Sequence, residues 1–240
     1  MRKAAGAAVD RARRADEDEV LAPRPKRRGG LKLPGDVVAE LVREVGAASA
    51  PRLVQKVDDA RGAFERERYS DAKRMISVVA KEAPGAGAVR ELLGLTLYRL
   101  ERYRDAGNEL QAFATLTGSV DQHPVLADCY RAQRKWAKVE TLWAELREMS
   151  PSAELVAEGR IVTAGARADQ GNLQGGIELL EKAPRPRGKA RVHHLREWYV
   201  LADLLDRAGE APRARRLFER IVEIDPAFAD VVDRLRTLGS

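Results

Sequence analysis

A spacing of about 34 residues recurs along this chain and constrains its fold more than any other feature. It is clearest in WYVLADLLDRAGEAPRARRLFERIVEIDP, residues 198–226, which marks out Trp198, Leu201, Ala202, Leu205, Gly209, Ala214, Phe218, Ile221 and Pro226. Read physically, this is a helix, a turn and a second helix. Ala202 and Ala214 are small where the two helices approach, Gly209 allows the turn, and Phe218 fills the space beside the small residues. Pro226 stops the second helix because it lacks an N–H and clashes with the preceding turn.

The same offsets return four times upstream. One copy holds Ala60, Ala63, Tyr69, Ala72, Ile76, Val79 and Pro84; the next holds Leu93, Gly94, Leu97, Tyr103, Ala106, Leu110 and Phe113. A third runs through Leu126, Ala127, Tyr130, Trp136, Val139, Trp143, Leu146 and Pro151, and a weaker fourth through Ala164, Gly171, Leu173, Gly176, Leu180 and Ala183. These spacings resemble the tetratricopeptide repeat, a helical hairpin with a large–small pair in its first helix and small–aromatic–small positions in its second. The resemblance covers residues 53–226 and implies an all-α fold, a right-handed α-α superhelix of about five hairpins over 53–86, 87–119, 120–151, 152–188 and 191–226. Capping helices are expected at 36–48, where DVVAELVREVG opens on Asp36 and stops at Gly46, and at 227–240, because the ends of a solenoid expose apolar faces. The segments TGSVDQHPVLADCYRAQ and GRIVTAGARADQG are further similar to a family of small tetratricopeptide proteins of GC-rich bacteria that carry a basic N-terminus; no activity follows from that likeness. Departures gather in the fourth unit, where Arg167 takes an aromatic position and PRPRGKAR, residues 184–191, is part of an insertion, so the stack is expected to open or bend there. Val139 stands where alanine is usual in the third.

Composition agrees with helices, since aromatics make up 5% and charged residues 33%, with Ala, Leu and Arg throughout. The single cysteine, Cys129, excludes an intramolecular disulfide and a thiolate zinc cluster, and is read as a buried small-space filler. No leader-like apolar core and no membrane-length apolar run is present, which leads to a cytoplasmic expectation. Residues 1–35 carry ten basic and five acidic groups, a net of +5 within a total of +6, and too few large apolar side chains to offset ordering; a disordered basic arm is expected.

Sites for chemistry are not evident. His193 and His194 are neighbours whose side chains leave a helix about 100° apart, so no shared metal is expected. His123, before Pro124, reads as a surface or capping residue. Phosphate loops, zinc helices and nucleophile elbows are absent, so catalytic residues, metals and cofactors are set at none. Tyr69, Tyr103, Trp136, Trp143, Trp198 and Phe218 fall on packing offsets and are assigned to the core. By the resemblance, outward positions of the first helices line a groove suited to a peptide or helix: Arg61, Phe64, Glu91, Tyr98, Arg99, Asp128, Arg131, Tyr199, Asp203 and Asp206. The Lys/Asn clamp with which some such proteins hold acidic chain ends is missing, because its asparagine positions carry Arg61, Leu95 and Asp128.

The leading expectation is therefore a non-enzymatic scaffold that binds a protein or peptide, with homo-oligomerisation left open. The alternative is a nucleic-acid or ribosome-associated adaptor using Arg24, Lys26, Arg27, Arg28 and Lys32 in the arm and Arg185, Arg187, Lys189 and Arg191 in the fourth-unit insertion.

Overall fold

The computed structural model describes residues 33–149 and 151–238. Among them the backbone forms twelve α-helices and no strand. The arm cations Arg24, Lys26, Arg27, Arg28 and Lys32 lie outside the described residues. The chain divides into two compact units, whose described parts are residues 33–135 and 136–238.

The first unit contains α1 (Gly35–Val45), α2 (Ala50–Glu65), α3 (Tyr69–Glu82), α4 (Gly87–Arg99), α5 (Tyr103–Thr117) and α6 (His123–Ala132). Here α2 pairs with α3 and α4 with α5, and α1 and α6 pack at the two ends. On α3 the buried set Ala72, Ile76, Val79 and Ala80 repeats at helical spacing, which makes one face apolar and leaves the other to charge. Gly94 sets how closely α4 meets α5: a Cβ there would lie 2.7 Å from the Leu110 side chain. The first helix starts one residue earlier than expected, at Gly35, and Asp36 sits in its first turn, where its Oδ1 accepts from Val37 N at 3.0 Å. Gly46, at φ 77°, ends it where the sequence indicated. This helix also supplies two missing caps. The α4 N-terminus has no capping side chain of its own. Glu40 accepts from Ala88 N at 3.0 Å and Glu44 from Gly85 N at 2.7 Å, so carboxylates meet the positive end of a helix dipole.

The second unit contains α7 (Trp136–Met149), α8 (Ala153–Asp169), α9 (Leu173–Glu181), α10 (Val192–Arg207), α11 (Ala211–Ile224) and α12 (Val231–Leu238). Here α8 pairs with α9 and α10 with α11, flanked by α7 and α12. The fourth hairpin packs closely despite its departures from the repeat. A Cβ on Gly176 would lie 2.8 Å from the Ala164 carbonyl, and Arg167 replaces an aromatic contact by donating to both Glu140 oxygens at 2.7 and 2.9 Å and to the Gly175 carbonyl at 3.2 Å. The cost of the departure is a short second helix, nine residues long, followed by the 182–191 connection. The last helix begins later than expected, at Val231, after a turn in which Ala229 takes φ 48°.

Five of the turns between consecutive helices repeat more strictly than the side chains do. Each contains one left-handed residue: Glu67, Glu101, Arg134, Gly171 and Gly209. Each is followed by a residue whose N–H closes back to the carbonyl five positions earlier, at 2.9 Å in all five cases: Arg68 to Ala63, Arg102 to Leu97, Lys135 to Tyr130, Asn172 to Arg167 and Glu210 to Leu205. This bond, made to an otherwise orphaned helix-end carbonyl, is the Schellman closure. Pro84, Pro151 and Pro226 stand just past the ends of α3, α7 and α11, as expected of residues that cannot continue a helix.

Candidate functional site

The sequence reading sends ten residues to an open groove, and burial redistributes them. Tyr199 is 0% exposed, Asp203 3% and Asp128 6%. These three are corrected from groove-facing to internal. The reason is visible when positions are counted back from the left-handed turn residue. Ten and three residues before Glu101 stand Glu91 and Tyr98; ten and three before Gly209 stand Tyr199 and Asp206. All four reach to the next first helix or to the segment leading into it.

Between α4 and α6, Gln122 Nε2 donates to Glu91 Oε1 at 2.8 Å, and Tyr98 Oη donates to Asp128 Oδ2 at 2.6 Å. Arg131 holds the other Asp128 oxygen at 3.0 Å. Tyr98, Asp128 and Arg131 thus come together as one partly buried cluster. Burial pushes the Glu91 carboxyl above its ordinary range, against the pull of the Gln122 hydrogen bond. Between α10 and α12 the same two positions act again. Tyr199 donates to Asp230, while Arg234 donates to Asp203 at 2.8 Å and to Asp206 at 3.0 Å. The Tyr199 ring also packs against Phe218 and Phe228, with centroids 5.6 and 6.0 Å away. In this way α12 covers the face of α10 that a following hairpin would otherwise cover.

Arg61, Phe64 and Arg99 form a second group, at the turn end of the first two hairpins. Arg61 bonds Asp58 at 2.9 Å along its own helix. Phe64 meets Tyr69 edge-on at 5.4 Å, and the Arg99 guanidinium lies 5.8 Å from the Tyr69 ring centre. Arg99 is exposed and the other two are half-buried. An exposed guanidinium thus stands beside the Tyr69 ring, a contact of the cation–π kind.

A network that the sequence reading missed joins α8 to α10. Arg160 pairs with Glu197, both nearly buried, and the Arg160 guanidinium lies 5.6 Å from the Trp143 ring centre. Arg196 donates to Glu158 at 2.6 Å, and Arg191 to Glu154 at 3.0 Å. Burial raises the Glu197 carboxyl above its ordinary range although Arg160 draws it down. The partners are 37 and 38 residues apart, so no local pattern joins them. The available signal is a lone charge inside an apolar run, as with Arg160 ahead of IVTAGA. Each carboxylate here accepts from a guanidinium, which commits its lone pairs to holding helices together.

His193 and His194 sit at the start of α10 with ring centroids 4.0 Å apart, and His193 Nδ1 lies 3.6 Å from Glu154. Burial holds both imidazoles below their ordinary value. His123 is buried, so its reading as a surface residue is corrected. Of the aromatics assigned to the core, Trp143 and Phe218 are buried, whereas Tyr69, Tyr103, Trp136 and Trp198 are half-buried. The Arg220 guanidinium covers Trp198 at 3.8 Å from its ring centre. Cys129 is a buried thiol.

Arg185, Arg187 and Lys189 lie exposed on the 182–191 connection, with no carboxylate within 4.0 Å among the described residues. No three His, Cys, Asp or Glu side chains gather as metal ligands among the described residues, and no helix there is long and apolar enough to cross a membrane. Comparison with protein-family models finds no match, and no curated protein matches either.

Proposed function

We propose that this chain is a tetratricopeptide-like interaction scaffold, its hairpins winding as a right-handed superhelix and its first helices presenting a surface to a peptide or helix of a partner protein. The observation that carries this reading is the identical closure of five turns, whose left-handed residues at 67, 101, 134, 171 and 209 follow one another at near-constant spacing. Such units shield their apolar faces against neighbours and so generate extended surfaces. Arg61, Phe64 and Arg99 are the binding residues this reading favours, because Arg99 is exposed and Arg61 and Phe64 are half-buried, whereas Asp128, Tyr199 and Asp203 are buried.

A second reading, a nucleic-acid adaptor, draws support from the exposed cations Arg185, Arg187 and Lys189, which are placed to neutralise phosphates. One experiment separates the two. Affinity capture from the native cell, followed by mass spectrometry, is expected to recover a specific protein whose retention falls in Arg61→Glu with Arg99→Glu. Retention that ignores those changes, yet is abolished by nuclease or by reversing Arg185, Arg187 and Lys189 to glutamate, assigns the chain to the second reading.

A further inference from the structure

The first unit holds an open crevice none of whose lining residues belongs to the group favoured above. It runs between α3 and α5 over α4, with a volume of about 310 Å³, at the small end of ligand-sized cavities. Its floor is apolar, formed by Ala80, Leu93 and Leu97. Four cations line it: Lys73, Lys81, Arg90 and Arg102. Two of these are neutralised within the crevice, since Arg90 bonds Glu109 at 2.7 Å and Arg102 pairs with Asp105. Among the described residues Lys73 and Lys81 have no carboxylate within 4.0 Å, so the crevice lining carries a net charge of +2 from four cations and two acids.

Lys73, Ser77 and Lys81 stand on successive turns of α3, on one face. Two ammoniums rooted eight residues apart are separated by about 12 Å of helix axis, a spacing at which each can take its own carboxylate. That spacing matches two carboxylates carried on one helical partner, with apolar side chains between them to fill the floor.

We infer that the α3–α5 crevice is a docking surface for an acidic amphipathic helix of another protein, two of whose carboxylates pair with Lys73 and Lys81. The lining of this surface shares no residue with the group of Arg61, Phe64 and Arg99.

The test is an anisotropy titration of the full chain with a fluorescein-labelled helical peptide bearing two glutamates eight positions apart and leucines between them. Saturable binding is expected, weakened by at least about tenfold in Lys73→Glu with Lys81→Glu. A twin peptide with lysines in place of the glutamates is expected to bind the double variant and not the parent chain. Circular dichroism should be unchanged in the variant and the thermal midpoint only slightly lower, because Lys81 stands in the last turn of α3, where a carboxylate meets the negative end of the helix dipole. Absence of binding, equal affinity of the two chains for the acidic peptide, or displacement of the peptide by inorganic phosphate alone overturns the inference. Since Arg61 and Arg99 are intact in every arm, such a failure leaves the first-helix reading standing, and loss of partner capture in Arg61→Glu with Arg99→Glu leaves this one standing.

Discussion

Glu67, Glu101 and Arg134 occupy a backbone conformation that costs an L-residue with a side chain, whereas Gly171 and Gly209 occupy it freely. The three are tolerated because the hydrogen bond that follows each of them satisfies a helix-end carbonyl. Removing the side chain removes the cost and keeps the bond. Glu101→Gly is therefore expected to raise the unfolding free energy by about 1 kcal/mol, and Gly209→Ala to lower it by a similar amount, both read from urea melts. Equal midpoints for Glu101→Gly and the parent would mean that the turn is not strained. Gly209 was recognisable in the sequence as a turn because glycine announces that conformation. Glu101 and Arg134 were not, since charged residues give no local sign of positive φ, and only the helices on both sides force them into it.

The pairing of α8 with α10 rests on charged side chains as well as on apolar contact, and two histidines lie where those helices begin. Both imidazoles titrate below their ordinary value in the folded chain, chiefly through burial. The unfolded chain then binds protons first as pH falls, so these groups favour the fold above about 6.5, the ordinary histidine value, and that contribution is lost as pH drops toward the lower folded value. Thermal midpoints should fall between neutral pH and about 5.5. In His193→Gln with His194→Gln the fall should be shallower. An unchanged slope would place the acid sensitivity on the carboxylates. Elements of this kind were largely legible: apolar spacing, closing prolines and Gly46 gave helix positions to within a few residues. Partner choice was not, because Arg160 with Glu197 and Arg196 with Glu158 meet across more than thirty positions of chain.

A chain of paired helices must cover its last apolar face, and the turn before α12 does so with Phe228, and α12 with Val231 and the Arg234 bonds to Asp203 and Asp206. Ending the chain after Pro226 is expected to bare Tyr199 and Phe218, lower the thermal midpoint and produce self-association detectable by light scattering. A truncated chain that stays monomeric with its original midpoint would show that the cover is dispensable. Of the ten candidate groove residues, chosen from an outward-facing pattern, Tyr199, Asp203 and Asp128 are buried, whereas Arg99 is exposed and Arg61 and Phe64 are half-buried. Helix number, hairpin order and the small residues at crossings followed from local periodicity, because a 3.6-residue turn sorts side chains into faces without reference to the rest of the chain. Which outward residues stay in contact with solvent, which charges are paired, and where Lys73 and Lys81 come to line the α3–α5 crevice depended on the packing of helices distant in sequence, because burial and ion pairing are properties of a neighbourhood and no single segment carries its own.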